Sequence, residues 1–108
     1  MISRHWKGVT RPGRADAYVD HLRRETFPGL AKIRGFVQAS VLRREVDSGT
    51  EFQIVTVWES LEAIQAFAGE DLEVAVVPDS VQELMVSHDR RVTHYEIADT
   101  FVAAGPRR

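Results

Sequence analysis

Between Ile2 and Thr10 the side chains show no helical stripe, and the stretch ends in the turn cluster Thr10-Arg11-Pro12-Gly13, so the pattern predicts a strand followed by a helix. From Asp16 the period changes. Ala15, Tyr18, Val19 and Leu22 recur at three- and four-residue spacing, while Asp20, Arg23, Arg24 and Glu25 fill the opposite side, as in an amphipathic helix. Pro28 lacks a backbone donor and disfavours helical backbone at Phe27, which places the helix end near Thr26 and an irregular turn up to Gly35.

Two arms rich in Val, Ile, Thr and aromatics, Phe36 to Val46 and Glu51 to Glu59, flank the connector Asp47-Ser48-Gly49-Thr50 and predict a hairpin. The second arm, Phe52 to Trp58, does not alternate cleanly, so it is expected to be a central strand buried on both faces. Helices of a single domain cover one face of such a sheet; a second copy packed sheet to sheet would cover the other. Ser60 then caps a helix carrying Leu61, Ile64, Phe67 and Ala68, with Gly69 as its stop. Ser80-Val81-Gln82-Glu83 fits a capping box, with Val81, Leu84 and Met85 as the apolar face of a short helix. Arg91 to Ala98 reads as the last strand. The resulting order is the split βαβ arrangement of an α+β, ferredoxin-like fold: an antiparallel four-stranded sheet with helices on one face.

Length and composition narrow the reading. A chain of 108 residues, 44% hydrophobic and 28% charged, suits one domain, assigned to residues 1–100, with a flexible tail at 101–108. Cysteine and asparagine are both absent, which excludes disulfides, thiolate nucleophiles and any scheme needing an asparagine amide. The net charge of −2 gives no field to attract nucleic acid or an anionic membrane. With no long apolar run, the protein is expected in the cytoplasm.

Several short segments resemble the antibiotic biosynthesis monooxygenase family. They are Trp6-Lys7-Gly8, Ala15-Asp16-Ala17-Tyr18, Val41-Leu42-Arg43-Arg44, Val57-Trp58-Glu59-Ser60, Ala66 to Asp71, and His94-Tyr95-Glu96. The likeness runs over about residues 3–98. It implies a homodimer whose two sheets close into a dimeric α+β barrel, with a pocket in each subunit between sheet and helices. It also implies departures. The haem-degrading branch uses an Asn, Trp and His triad, and the matching positions here carry Trp6, Phe67 and Val77. Haem degradation is therefore disfavoured. The quinone-forming branch, which oxidises aromatic polyketides without metal or flavin, is also associated with an Asn.

A cofactor-free oxygenase needs an apolar pocket, a base and a group that stabilises an anion. His94 and His5 are the candidate bases, because a neutral imidazole titrates near working pH and the first and last strands of this fold are neighbours. Arg43 is the candidate anion partner, since one of Arg43 and Arg44 must turn inward; an ion pair with Glu45, Glu51 or Glu59 is the bland alternative. Trp6, Tyr18, Trp58 and Phe67 are candidate walls for a small aromatic molecule, with core packing as the alternative for Trp58 and Tyr18. His94, Glu96 and His5 form a weak two-His, one-carboxylate pattern, and no strong metal spacing occurs, so neither metal nor cofactor is expected. The reading is a cofactor-independent monooxygenase acting on an electron-rich aromatic or polyketide-type molecule. A non-catalytic binding protein of the same fold, or an isomerase or lyase, is the alternative.

Overall fold

The computed structural model describes residues 1–104. Strand β1 (Ile2–Thr10) leads into α1 (Ala15–His21), a π-helical turn (Leu22–Thr26) and α2 (Phe27–Ala31). Strands β2 (Phe36–Val46) and β3 (Gly49–Trp58) form the hairpin, followed by α3 (Leu61–Ala68), α4 (Asp79–Gln82), β4 (Met85–His88) and β5 (Thr93–Glu96). The antiparallel sheet runs β2-β3-β1-β4, and β5 also pairs with β1. This is the expected α+β arrangement with helices on one face.

The first helix does not stop at Thr26. Phe27 N–H bonds the Leu22 carbonyl five residues back, so the turn ahead of Pro28 is a wide π turn. Widening makes room for the ring, and Pro28 falls in the first turn of α2, where a missing donor costs nothing. Steric avoidance at the residue before proline loses to continued helix, and Tyr18, Leu22 and Leu30 are all buried along this run.

The hairpin turn is tighter than expected. Val46 pairs with Gly49, which leaves Asp47 and Ser48 as the loop. Gly49 has φ of 153°, and a Cβ there would collide with the Thr10 carbonyl oxygen, so only glycine permits this approach of β3 to the end of β1. Strand β3 alternates after all. Phe52, Ile54, Thr56 and Trp58 are buried against the helices, whereas Glu51, Gln53, Val55 and Val57 are half-buried on the far face. Double burial of this strand is therefore not met within one chain.

Ser60 caps α3 as expected, its Oγ accepting the Ala63 N–H at 3.2 Å, and Gly69 ends it with φ of 87°. The capping box at Ser80 does not form, because Pro78 holds the N-cap position and Ser80 lies inside the four-residue helix α4. Met85 leaves the helix for β4. The single expected last strand is divided, with β4 beside Gly8 to Thr10 and β5 beside Ile2 to His5. Between them Arg90 to Val92 pair with Glu73 to Ala75 instead, through Ala75 N–H to the Arg90 carbonyl and Val92 N–H to the Glu73 carbonyl. Of the expected 101–108 tail, residues 105–108 lie outside the described residues, and Phe101 to Ala104 are exposed.

Candidate active site

Alternation fixes which side chains of the sheet meet the helices. Ile2, Arg4, Trp6 and Gly8 of β1 pair with Trp58, Thr56, Ile54 and Phe52 of β3, and all share the helix-facing side. Above them stand Tyr18 and Leu22, Thr26 on the π turn, and Phe27. The segment Val76-Val77-Pro78 and Phe67 of α3 complete the walls. The cleft is open to solvent on one side, and the cavity inside it has a volume of about 80 Å³.

Arg4 is the central polar residue and the one that the sequence reading passed over. It is 5% exposed and takes part in no ion pair among the described residues. Its guanidinium donates from Nη1 to the Leu72 carbonyl and to His94 Nε2 (2.9 Å), and from Nη2 to the Val74 carbonyl (2.8 Å). It also lies over the Phe67 ring at 5.6 Å. Burial lowers its pKa to about 10, which leaves it a cation at neutral pH. The available signal was the alternation itself, which puts Arg4 on the same face of β1 as Trp6.

His94 sits opposite Arg4 on β5 and meets the cleft through that residue rather than lining it. Arginine has no acceptor, so the contact requires a lone pair on His94 Nε2 and the proton on Nδ1. Burial, and then the Arg4 charge, hold the His94 pKa below its ordinary value, in keeping with that neutral form. His5 lies on the opposite face of the sheet, paired with Thr93. There its ring meets Ser3 Oγ at 2.9 Å and the Gln53 amide at 3.2 Å, and packs edge-on to Tyr95. The two histidines thus share neither a pocket nor a contact, and the grouping of His5 with His94 and Glu96 is not assembled.

Trp6, Tyr18 and Phe67 line the cleft as expected. A Cβ at Gly8 would come within 2.5 Å of the Trp6 ring, so Gly8 lets the indole lie along β1 while its Nε1 donates to the Asp89 carbonyl at 2.9 Å. Tyr18 is 3% exposed and packs edge-on to Phe52. Its hydroxyl has no hydrogen-bond partner among the described residues and is not sealed off, and burial raises its pKa. Trp58 takes the alternative reading: fully buried, it stacks on Phe67 and donates to Thr56 Oγ1 at 2.9 Å. Arg43 turns to the helix side but stays outside the cleft lining, over Phe52 and 3.7 Å from Asp16. Arg44 pairs with Glu51 at 2.5 Å.

The sequence matches the antibiotic biosynthesis monooxygenase family over residues 1–77. The chain belongs to that family. No curated protein matches it. Among solved structures, a putative family member from Bacillus cereus superposes with a TM-score of 0.68 at 20% identity, covering 97% of this chain and 98% of that one. SnoaB, a cofactor-independent oxygenase from Streptomyces nogalater, gives 0.66 at 16% identity over 92% and 94% of the two chains. A heme-degrading protein from Mycobacterium tuberculosis gives 0.61 at 18% identity over 95% and 98%. At these identities the structural likeness establishes the fold, and that fold carries more than one chemistry.

Proposed function

We propose that this family member is a cofactor-independent oxygenase acting on a planar, electron-rich aromatic molecule held between sheet and helices. The observation that carries the reading is Arg4, a buried cation without a carboxylate partner in an otherwise apolar cleft walled by Trp6, Tyr18 and Phe67. A substrate anion bound there gains a charge-assisted contact in a water-poor site, where such contacts weigh most. For an activated methylene that has given its proton to solvent before binding, the bound carbanion passes an electron to O2 and the resulting radical pair combines to a peroxide anion. That anion takes a proton back from solvent, and the hydroperoxide loses water, so that one oxygen atom becomes the carbonyl and the other leaves as water.

Arg4 takes the anion-stabilising part for which the sequence suggested Arg43, because Arg43 lies outside the cleft lining. His94 serves as a positioning residue, accepting from Nη1 and aiming the guanidinium. Haem as a substrate fits this donor set poorly. Trp6, Phe67 and Val77, which stand where the haem-degrading branch has its triad, all line the cleft and none can ligate iron.

The test is oxygen uptake with a panel of phenols and anthrones, without added metal or flavin. Uptake matched to product, falling on the order of 10²-fold or more in kcat/KM for R4Q, is the expected result, the scale of losing one stabilising donor group. Turnover that proceeds equally under nitrogen would make the protein an isomerase or lyase. Saturable binding with no turnover would make it a binding module.

A further inference from the structure

The cleft holds a cation but no base. Its titratable lining residues are Arg4 and Tyr18, and burial keeps Tyr18 protonated. No Asp, Glu or His lines it, and the Nε2 of the nearby His94 is already engaged by Arg4. A general base must reach the proton that it abstracts directly or through one water. Nothing in this lining does so.

Arg4 meanwhile has donors to spare. A guanidinium carries five N–H groups. Both on Nη1 are used, by the Leu72 carbonyl and His94, and one on Nη2 is used by the Val74 carbonyl. The Nε–H and the second Nη2–H have no acceptor among the described residues. Nε is not sealed, since no buried polar side-chain atom of the described residues lacks a partner. Two free donors on a fixed, planar cation match the two oxygens of a carboxylate or the spread charge of a delocalised oxyanion.

We infer that the site takes its ligand already ionised: a planar aromatic carboxylate or acidic oxyanion, selected by its charge through Arg4 Nε and Nη2 rather than deprotonated after binding. The inference rests on the cleft being the ligand site, and it concerns binding, so it stands or falls independently of oxygen chemistry.

Naphthalene-2-carboxylate and naphthalene-2-carboxamide share shape and differ in charge, and titration calorimetry on the full chain separates them. The carboxylate is expected to bind at least ~10-fold more tightly, the scale of a hydrogen bond to a charged group. In R4Q the two are expected to bind alike. Should R4Q fail to fold, the wild-type protein still decides the matter through a nitrophenol that ionises near neutrality. Its affinity is to rise with pH along the ligand's own titration, while that of naphthalene-2-carboxylate stays flat over about pH 7 to 8, above the ordinary histidine range. Equal affinity for acid and amide, a preference that survives in R4Q, binding of neither ligand, or a nitrophenol affinity indifferent to pH would each overturn the inference. Selective carboxylate binding without oxygen uptake from any substrate would leave it standing and remove only the oxygenase reading.

Discussion

At the scale of single residues the pair Arg4 and His94 sets the pH behaviour of the cleft. His94 senses the charges of Arg4 on β1, of Glu73 in the segment that pairs with Arg90 to Val92 and, on the far face, of His5. Its pKa lies below the ordinary value, so between that value and its own the unfolded chain binds a proton that the folded chain does not. Stability from this residue is therefore present above about pH 6.5 and is lost as pH falls. Thermal melts should show the wild type losing stability between pH 7 and 5, and H94Q, which keeps an acceptor for Arg4 but cannot charge, losing less; parallel curves would refute the assignment. Gly8 gives a second prediction. G8A pushes a methyl into the Trp6 ring and should cost roughly 1–3 kcal/mol, the usual range for overpacking, with a shifted tryptophan emission as its sign.

Among the elements, those whose period could be read locally were legible in the sequence. Tyr18 and Leu22, the Phe36–Val46 arm and the Ser60 cap all sit as their spacing implies. What could not be read was decided by partners far away in sequence. The last strand divides because Arg90 to Val92 are recruited by Glu73 to Ala75, and the helix crosses Pro28 because burying Leu30 favours a wide turn over a stop. Arg4 was missed for the same reason, since an arginine in an edge-like N-terminal strand reads as solvated until the β3 register and the Leu72 and Val74 carbonyls enclose it. The Ser60 cap, by contrast, is a local device: S60A should lower stability by about 1 kcal/mol in denaturant unfolding with an unchanged slope.

For the whole molecule, the far face of the sheet is the surface that bears on assembly. Val55 and Val57 are half-buried there, and Leu42 is 51% exposed, beside polar Gln53 and Ser40. Two copies packed through this face would form the barrel that the family resemblance implies. Sedimentation should then give a dimer, and V55D, which places a charge opposite Ser40 in the middle of that face, should give a folded monomer. A wild-type protein that sediments as a monomer would refute this packing.

The divided last strand bears on how the protein can change. Because Arg90 to Val92 leave β1 and lean on Glu73 to Ala75, residues can be added in that excursion without shifting the register of β4 or β5. One wall of the cleft, at Val92, is thus carried by a stretch of chain that lies outside the paired strands. A lineage, or a designer, could lengthen one ribbon to admit a larger ring system and leave the load on the frame untouched.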